Sequence, residues 1–512
     1  MLRSGMRFAI HTLGCRVNTY ESDAIAGALK ACGLMECPFS EAADVYIINT
    51  CTVTNVADKK SRQMLHRARK QNPDALVVAV GCYVDAALQN PKMQALLRDA
   101  SVDLLLPNRD KGRAAERILS ELEKRAGHSQ REEGRDRQDR QDRQDRQDRE
   151  AAGTKDSAGL MCPAGEGRGA RKEDGTKDGE LFVTELDGHT RAFVKVQDGC
   201  NQFCSYCIIP YVRGRIRSRR IEDCVREIRG LAEKGVKEVV LTGIHLSSYG
   251  RDWEKQEKTE QGTEGAAEAS VRRMSDDIET GDSAPLLQLI RAVADIEGIE
   301  RIRMGSLEPR LMSEAFVRAL SELPKVCPHF HLSLQSGSRE TLKRMNRHYT
   351  PEQYRESCSL LRRYFEDPAI TTDVIVGFPG ETEEAFHESL SFVREMGFYE
   401  LHVFPYSRRA GTRADRMEDQ VPEATKEARS REMLRLAEDL SKAFRRRFLG
   451  KKVSMLCEEA VEAGGRKLVT GYSREYVRCA MECDAFEPGE ILQGVVSEIC
   501  KEKPVYECLF LR

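Results

Sequence analysis

The chain has 512 residues, of which 40% are hydrophobic and 32% charged, with 17 cysteines and a formal net charge of −2. A chain of this length normally forms about three domains. Its cysteines are too few for a disulfide scaffold, and because their number is odd they cannot all be paired. We find no secretory signal and no run of about 18 apolar residues that would span a membrane. We therefore expect a cytoplasmic protein, not bound to a membrane, whose cysteines bind metal or take part in chemistry.

The N-terminal segment, residues 6–120, alternates short apolar runs with helical patterns. Strands are predicted at Arg7–Leu13, Val45–Asn49, Leu76–Val80 and Val102–Leu106. Helices are predicted at Glu21–Cys32, Val56–Gln71 and Asp110–Leu122. This α/β alternation is typical of a Rossmann-like parallel sheet covered by helices.

Two polar segments interrupt the hydrophobic pattern. Residues 121–180 contain few apolar side chains and repeat the triplet RQD. Because such a segment buries too little surface to offset the entropy of ordering it, we predict a disordered charged linker. Residues 251–283 are rich in Glu, Gly, Ser and Thr, and we predict a polar insert there.

The central segment, residues 186–418, repeats the strand–helix rhythm. Six strands are predicted at Ala192–Gln197, Glu238–Thr242, Arg301–Gly305, Phe330–Leu334, Thr372–Val376 and Leu401–Phe404. Helical patterns separate them, at Ile221–Lys234, Leu286–Ile296 and Glu383–Glu395 among others. Six successive units favour an incomplete (β/α)6 barrel over a short open sheet.

The C-terminal end changes character after a charged connecting helix, Glu423–Phe448, within residues 419–450. In residues 451–512 the pattern predicts strands without intervening helices. They are Lys452–Ala460, Lys467–Ala480, Ile491–Ile499 and Pro504–Phe510. This arrangement is typical of a small β-barrel or sheet.

Three cysteines lie close together just after the first strand of the predicted barrel. Cys200, Cys204 and Cys207 form a C-x3-C-x2-C pattern, at the face where such barrels carry their active sites. Thiolates bind zinc or iron–sulfur clusters, but structural zinc normally takes four protein ligands. The next cysteine, Cys224, lies on a predicted helix. The pattern favours a [4Fe-4S] cluster with one open iron, and a zinc or purely structural site is the alternative.

A second set of cysteines is dispersed along the N-terminal segment. Cys15, Cys51 and Cys82 each follow a predicted strand. Because the carboxyl ends of parallel strands meet at one edge of a sheet, we expect these thiols to converge. Gly14 and Gly81 precede two of them and permit tight turns that direct the thiols outward. A second cluster is indicated, and the alternative is that these cysteines are small apolar residues near the core.

The sequence around both sets resembles the methylthiotransferase family of radical S-adenosylmethionine enzymes. The resemblance is carried by VKVQDGCNQFCSYCIIPYVRGRIRSR at the first set and by TLGCRVNTYES, INTCTVT and VGCY at the second. LTGIHLSSYG, GSLEP, HLSLQSGS, TDVIVGFPGETEE and FPYSRRAGT follow in the family's order. The TLGCRVN form is closest to the branch that modifies N6-threonylcarbamoyladenosine in tRNA. Only the two polar segments depart from the family's usual form.

The resemblance implies two [4Fe-4S] clusters, with S-adenosyl-L-methionine as radical source and methyl donor. Cys200, Cys204 and Cys207 would hold the first cluster, and the dispersed set would hold an auxiliary cluster that carries the inserted sulfur. The implied reaction replaces the hydrogen at C2 of N6-threonylcarbamoyladenosine, beside the anticodon, by a methylthio group. The implied partners are tRNA, a reducing partner such as flavodoxin or ferredoxin, and a sulfur source.

Seven residues near predicted strand ends are expected to bind S-adenosylmethionine. They are Tyr206, Thr242, Gly243, Glu308, Gln335, Ser336 and Gly377. The tyrosine would stack near the adenine, and Thr242 and Gly243 would hold the methionine amino group. The polar side chains of the later strands would contact ribose or carboxylate, and Gly377 would let the backbone approach the adenine.

Basic and aromatic residues at two places are expected to bind RNA. Arg213, Arg215 and Arg217 follow the cluster motif, and would neutralise phosphates or pair with the threonylcarbamoyl carboxylate. The alternative is an exposed basic segment that pairs with nearby acidic residues. In the C-terminal segment aromatic and basic residues alternate, as suits RNA stacking, and this end resembles the family's TRAM domain. These residues are Tyr472, Arg474, Tyr476 and Arg478.

Three other functions remain open on the sequence. The first is action on a different tRNA base, isopentenyladenosine, with the same chemistry. The sister activity of the family methylthiolates an aspartate of a ribosomal protein with the same two clusters. A third possibility is an iron–sulfur or zinc protein that binds RNA and does not cleave S-adenosylmethionine.

Overall fold

The computed structural model describes residues 5–100, 102–126, 181–184, 190–253, 281, 283–483, 485–501 and 503–512. Most of the predicted linker and of the predicted polar insert lies outside these ranges. The described strands form a parallel sheet, an open parallel barrel and a closed β-barrel, in that order along the chain. Within these ranges, every helix is too short or too polar to cross a bilayer.

The N-terminal sheet has five parallel strands in the order β2–β1–β3–β4–β5. The strands are β1 (Arg7–Thr12), β2 (Met35–Glu36), β3 (Val45–Thr50), β4 (Leu76–Gly81) and β5 (Leu104–Leu106). Every residue of β3 and β4 is buried, with an apolar core on each face of the sheet. The predicted Rossmann-like sheet is confirmed. The short edge strand β2 was not predicted, because its two exposed residues carry no hydrophobic pattern.

Five helices cover this sheet. They are α1 (Arg16–Ala31), α2 (Asn55–Gln71), α3 (Cys82–Leu88), α4 (Pro91–Asp99) and α5 (residues 114–126). The predicted start of α1 at Glu21 was wrong, because the helix already begins at Arg16. The polar run RVNTY at its start lacks the apolar periodicity on which the prediction was based. Helices α3 and α4 were not predicted. A 3-10 turn, Asn108–Arg113, precedes α5, and the last turn of α5 reaches into the segment predicted as linker.

The central part contains six parallel strands and one short antiparallel strand. They are β6 (Arg191–Asp198), β7 (Arg217–Ser218), β8 (Glu238–Gly243), β9 (Arg301–Met304), β10 (His329–His331), β11 (Ala369–Val376) and β12 (Glu400–Pro405). β6, β8 and β9 pair in one group and β10, β11 and β12 in another. Isolated parallel bridges, among them Leu307 to Leu332, join the two groups. In the described residues β12 does not pair with β6, so the predicted incomplete barrel is confirmed.

Helices pack on the outside of the open barrel and bury its largest apolar core. The short α6 (Ile209–Val212) lies instead against α3 of the N-terminal part. The helices of the barrel are α7 (Ile221–Glu233), α8 (Pro285–Ala294), α9 (Glu314–Ser321), α10 (Arg339–Arg344), α11 (Pro351–Tyr364) and α12 (Glu383–Met396). The predicted connecting helix is confirmed as α13 (Glu423–Arg446). Because the helices lie outside, the odd-numbered residues of β6 and β11 face the interior of the barrel.

The C-terminal part is a closed five-stranded barrel in the order β13–β14–β15–β17–β16. Its strands are β13 (Lys452–Ala463), β14 (Arg466–Ser473), β15 (Arg478–Glu482), β16 (Ile491–Ile499) and β17 (Leu509–Leu511). The single predicted strand Lys467–Ala480 was wrong. The chain turns after Ser473, whose carbonyl oxygen accepts a hydrogen bond from the Tyr476 N–H at 3.1 Å, and Tyr476 has φ of 65°. The turn was not predicted because its sequence, SREYV, contains no glycine or proline.

Candidate cluster and substrate sites

The first cysteine triplet occupies the loop that follows β6. Gly199 begins the loop with φ of 70°, and a Cβ there would lie 1.9 Å from the carbonyl oxygen of Arg215, so only glycine fits. The Cys207 N–H donates to the Cys204 carbonyl oxygen at 3.0 Å. Burial, together with the neighbouring Cys204, raises the pKa of Cys200 to about 12. The structure therefore brings the three thiols close together, with Cys200 buried and Cys204 and Cys207 half-buried.

A half-buried arginine contacts this triplet. Arg347, in the loop after α10, donates from Nη1 to Cys204 Sγ at 3.2 Å and from Nε to the Tyr349 hydroxyl at 3.2 Å. Donors at a sulfur stabilise the thiolate form that binds metal. Sequence reasoning did not single out Arg347, because one residue among 81 lysines and arginines carries no pattern of its own.

The second triplet lies at the carboxyl edge of the N-terminal sheet, where Cys15, Cys51 and Cys82 follow β1, β3 and β4. A Cβ on Gly14 would lie 2.9 Å from both Cβ and Sγ of Cys51. Burial, with smaller contributions from Cys82 and Cys15, raises the pKa of Cys51 to about 11. Gly81 has φ of 99° and starts the turn into α3. The three cysteines, far apart in sequence, are neighbours in the structure.

Arg213 connects the second triplet to the barrel. Its Nε donates to Cys82 Sγ at 3.2 Å, and its Nη1 donates to Asp198 Oδ1 at 3.1 Å and to Glu21 Oε1 at 3.0 Å. None of its side chain is exposed. The expectation that Arg213 contacts RNA was wrong, because two carboxylates and a thiol hold it between the N-terminal sheet and the barrel.

Glu21 is the centre of a buried charge network at this interface. It pairs with Lys111 and Arg213, and its Oε1 lies 2.9 Å from Lys195 Nζ. Burial alone would raise the pKa of Glu21, but Arg213, Lys111 and Lys195 outweigh it and hold that pKa well below its usual range. Breaking such a pair typically costs about 3–5 kcal/mol. Sequence reasoning missed this network, because its members come from both parts of the chain.

Glu308, predicted to bind S-adenosylmethionine, follows β9 and is 2% exposed. Its Oε2 lies 2.8 Å from His245 Nε2 and accepts from Gln202 Nε2 at 3.2 Å, and its Oε1 accepts from Arg310 Nε at 2.7 Å. Burial would raise the pKa of Glu308, but its hydrogen bond to His245 and the charges around it hold the pKa well below its usual range. Because Gln202 belongs to the cysteine loop, this carboxylate stands beside the first triplet.

Thr242 and Gly243 end β8 next to the same loop. A Cβ on Gly243 would lie 2.8 Å from Gln197 Oε1, so the glycine admits the Gln197 side chain. Gln197 Nε2 donates to the carbonyl oxygens of Asp198 and Gly199, at 2.8 and 2.7 Å. Thr242 is 3% exposed. The ends of β6 and β8 and the cysteine loop therefore form one hydrogen-bonded surface.

The other predicted cofactor residues lie at the ends of later strands. Gln335 has φ of 66° and is buried, and Ser336 beside it is also buried. Tyr206 packs against a small apolar cluster behind the cysteine loop. At Gly377, with φ of 69°, a Cβ would lie 2.4 Å from Cγ of Lys426. Glycine is therefore required at this position because the Lys426 side chain of α13 packs against it.

Two family descriptions match the ranges that contain these sites. "Radical SAM superfamily" matches residues 194–393, which include the first triplet. "Uncharacterized protein family UPF0004" matches residues 7–106, which include the second.

Relatives extend over nearly the whole chain. Threonylcarbamoyladenosine tRNA methylthiotransferase MtaB of Bacillus subtilis (strain 168) is 35% identical, over 92% of this chain and 89% of its own length. MtaB of Aquifex aeolicus (strain VF5) is 35% identical, over 89% and 93%. The tRNA-2-methylthio-N(6)-dimethylallyladenosine synthase of Acetivibrio thermocellus is 32% identical, over 96% and 88%. The chain belongs to the radical SAM methylthiotransferases. This membership confirms the predicted cofactors, S-adenosylmethionine and [4Fe-4S] clusters.

The methylthiotransferase exposes two of the predicted RNA-binding arginines beside the first triplet. The Arg215 guanidinium lies 4.4 Å from the ring centroid of Phe203. Arg217 is 53% exposed, with Nη2 at 3.6 Å from Asp198 Oδ2. Both side chains therefore lie beside the loop that carries the first triplet.

The tyrosines predicted to stack on RNA instead close the lower end of the methylthiotransferase barrel. Tyr472 and Tyr476 stack with ring centroids 4.7 Å apart. The Arg191 guanidinium lies 4.8 and 5.1 Å from these centroids, and that of Arg303 lies 4.7 Å from Tyr476. The predicted open RNA-binding face at these tyrosines was wrong, because their turn packs against the first residues of the barrel strands.

The two neighbouring arginines differ in position. Arg474 Nη2 donates to the carbonyl oxygens of Pro324 and Val326, at 2.6 and 2.9 Å, so it also belongs to this interface. Arg478 is 39% exposed and pairs with Glu459 at 3.2 Å on the outside of the C-terminal barrel. Arg478 alone among the four stays on an open face.

Two histidines and a carboxylate face one another on β10, β11 and β12. The ligand atoms of His331, Asp373 and His402 lie within 4.8 Å of one another. His331 Nε2 is 3.3 Å from Asp373 Oδ2. The sequence signal for these three side chains is that alternate residues of a strand point to the same face, and the sequence analysis did not use it.

Proposed function

We propose that this protein is a tRNA methylthiotransferase that converts N6-threonylcarbamoyladenosine beside the anticodon to its 2-methylthio derivative. The observation that carries the proposal is the buried Arg213, which joins Cys82 of the second triplet to Asp198, two residues before Cys200 of the first. The choice of base is supported by two relatives named for threonylcarbamoyladenosine, each 35% identical to this chain.

Both triplets fit a [4Fe-4S] cluster with one open iron. Each supplies three neighbouring thiols, and each receives one arginine N–H at a sulfur, from Arg347 and from Arg213, at 3.2 Å. These donors offset the negative charge that three thiolates bring together. We assign the S-adenosylmethionine cluster to Cys200, Cys204 and Cys207, and the auxiliary cluster to Cys15, Cys51 and Cys82.

The cofactors, when bound, supply the one-electron chemistry that removes hydrogen from C2 and the sulfur that replaces it. The chain's own residues hold the reactants. The backbone edge at Thr242 and Gly243 and the carboxylate of Glu308 adjoin the first triplet, as binding the methionine and ribose parts of S-adenosylmethionine requires. Buried Gln335 and Ser336 line the same end of the barrel and help to exclude water.

The charge network between the N-terminal sheet and the barrel keeps the two cluster sites in register. Glu21 and Asp198 come from the two sides of the interface, and Arg213 pairs with both. Because both reactants are held in a fixed geometry, the reaction does not have to overcome the entropy loss of bringing them together. The adenine base therefore enters between the triplets, with C2 within reach of both sites.

RNA binding and redox partners complete the proposal. Arg215 and Arg217 lie at the mouth of the site, where they neutralise phosphates of the anticodon arm. The closed C-terminal barrel is TRAM-like and binds RNA through an outer face that includes Arg478. The reaction also needs a reducing partner such as flavodoxin or ferredoxin and a sulfur source, and it takes place in the cytoplasm.

The test is nucleoside mass spectrometry after reaction of the reconstituted full-length protein with defined RNAs. Anticodon stem-loops would carry N6-threonylcarbamoyladenosine or N6-isopentenyladenosine, with a ribosomal protein as a third substrate. We expect a methylthio group on the first RNA only. Product on the isopentenyl RNA or on the protein would contradict the proposed substrate, and absence of S-adenosylmethionine cleavage would contradict the enzyme.

A further inference from the structure

Arg16, the first residue of α1, directly follows Cys15 and enters the barrel from its open side. Its guanidinium lies 5.6 Å from the ring centroid of Phe193 and 5.6 Å from that of Tyr476. The side chain is half-buried. Within the part of the chain that the structure describes, Arg16 has neither an ion pair nor a hydrogen bond from its guanidinium. It is a cation held over two aromatic rings with its hydrogen-bond donors unused.

Other arginines of the interior have their charges matched. Arg303 lies over the same tyrosine, but its Nε donates to Glu238 Oε1 at 2.8 Å. Arg213 is matched by Glu21 and Asp198. Because guanidinium groups keep their charge at any physiological pH, an unmatched one inside a protein favours an anionic ligand.

A second unpartnered group lies beside the same tyrosine. His329, on β10, is 4% exposed, and its Nδ1 has no hydrogen-bond partner in the described residues. Its ring centroid is 5.0 Å from that of Tyr476. Leaving a buried polar atom unpaired typically costs about 1–3 kcal/mol, so a ligand that hydrogen-bonds to it recovers that cost. Arg16 and His329 thus offer donors around one aromatic ring.

The position of Arg16 and His329 indicates which anionic group of the bound cofactor or RNA they contact. Phe193 lies in the first half of β6, whereas Cys200 follows the end of that strand. The carboxylate of S-adenosylmethionine belongs near Cys200, at the other end of the barrel from Tyr476. An RNA phosphate belongs outside, near Arg215 and Arg217. The remaining anion is the carboxylate that the threonylcarbamoyl group carries on N6 of the adenine.

We propose that Arg16, with His329 behind it, binds this carboxylate inside the barrel and thereby selects N6-threonylcarbamoyladenosine over adenosines with a neutral N6 group. This inference rests on the proposed function and names the residue that decides its substrate. An arginine that meets a carboxylate forms two parallel charge-assisted hydrogen bonds. A neutral isopentenyl group in the same place leaves the half-buried guanidinium unmatched, which is the kind of contact that rejects an analogue strongly.

The experiment compares an acid with its ester. Reconstituted full-length enzyme is given an anticodon stem-loop carrying N6-threonylcarbamoyladenosine, or the same RNA with the threonine carboxylate as its methyl ester. Both the dissociation constant and kcat/KM are measured. We expect the wild type to prefer the acid by about 100-fold. Arg16→Gln should remove this preference by weakening only the acid, while Arg16→Lys should restore part of it.

Two controls separate recognition from folding. Arg62→Gln removes another arginine of the N-terminal domain that packs over a tyrosine, Tyr83, with its guanidinium 5.9 Å from the ring centroid. It should leave the acid-to-ester ratio unchanged. Iron content and affinity for S-adenosylmethionine are measured for every variant, and we expect Arg16→Gln to match the wild type in both.

Three outcomes would overturn the proposal. Equal loss on acid and ester in Arg16→Gln would mean that Arg16 supports the structure only. No loss on either substrate in Arg16→Gln would mean that the carboxylate binds elsewhere, and weaker binding of S-adenosylmethionine would assign Arg16 to the cofactor. In all three the wild type still modifies the acid RNA, so the proposed function stands. Wild-type reaction on isopentenyl RNA alone would instead overturn both.

Discussion

The two cysteine triplets reach the same arrangement by different routes. Cys200, Cys204 and Cys207 come from a single loop after β6. Cys15, Cys51 and Cys82 come from the ends of three strands, and they meet only once the N-terminal sheet has formed. Each triplet has one arginine that donates to a sulfur, but Arg347 comes from the same barrel, whereas Arg213 crosses from the barrel to the sheet.

Because of this difference, the two sites depend on different parts of the structure and leave different signals in the sequence. The first site depends on a local loop, so its spacing alone indicates its chemistry. The second site depends on sheet topology and on the contact between two domains, so damage far from the cysteines can disturb it. We therefore expect the two sites to fail separately when residues specific to each are changed.

The largest expected effect separates radical formation from product formation. Cys207→Ala should reduce the formation of 5′-deoxyadenosine from S-adenosylmethionine to background, because three thiolates are needed to hold that cluster. The triple variant Cys15→Ala, Cys51→Ala, Cys82→Ala should keep 5′-deoxyadenosine formation and lose methylthiolation. Both products are measured by chromatography with mass detection after chemical reduction.

The matched control for these variants is Cys32→Ala, since Cys32 is an exposed cysteine at the end of α1. It should keep both activities. Loss of S-adenosylmethionine cleavage in the triple variant would show that the two sites do not act separately.

The next effect concerns the arginine that belongs to each site. Arg213→Met should lower the free energy of unfolding of the apoprotein by about 3–5 kcal/mol, because Glu21 and Asp198 lose their shared partner. Arg347→Met should cost only about 1–2 kcal/mol, the typical value of its lost hydrogen bonds. Urea unfolding followed by circular dichroism measures both. Equal losses would contradict the special role of the interdomain contact.

The same interface should give the protein a pH-dependent stability. The pKa of Glu21 in the folded chain lies well below its ordinary value of 4.5, so ionised Glu21 stabilises the fold above that pH, and this contribution is lost as the pH falls further. The wild type should therefore exceed Glu21→Gln in stability at about pH 7 and approach it in acid. Glu41→Gln, at a side chain 51% exposed, should differ little from wild type at any pH. A Glu21→Gln deficit that does not shrink in acid would refute this.

The smallest effect tests the surface beside the first triplet. Arg215→Gln and Arg217→Gln should each weaken binding of the anticodon arm a few-fold. Each should also reduce the slope of log affinity against log salt concentration by about 0.7–0.9, the value of one phosphate contact. Filter binding at several salt concentrations measures this, with the exposed Arg394→Gln on α12 as control. An unchanged salt slope would place the RNA elsewhere.

Much of this molecule follows from its sequence because most of its strands are buried apolar runs. β3 and β4, buried along their whole length, were predicted almost to the residue, and so were four of the six barrel strands. The predicted bounds of the other two, Phe330–Leu334 and Thr372–Val376, each differ by three residues at one end from β10 and β11. The errors fall where the signal is not apolar. The turn between β14 and β15 uses Tyr476 in a left-handed conformation, which no sequence rule for turns would favour.

The site was predictable in its cysteines and much less in their surroundings. The spacing of one triplet and the strand ends that carry the other were visible in the sequence. Arg213 was expected at a phosphate, because sequence position does not show that Asp198 and Glu21 would enclose it. Arg16 and Arg347 carried no signal, since their partners come from residues far away in the chain.

Iron content measures the central claim most directly. After anaerobic reconstitution, the wild type should bind about eight iron atoms per chain, four for each [4Fe-4S] cluster. The triple variant Cys15→Ala, Cys51→Ala, Cys82→Ala should bind about four. A wild-type value near four, or a triple variant that still binds about eight, would contradict the assignment of one cluster to each triplet.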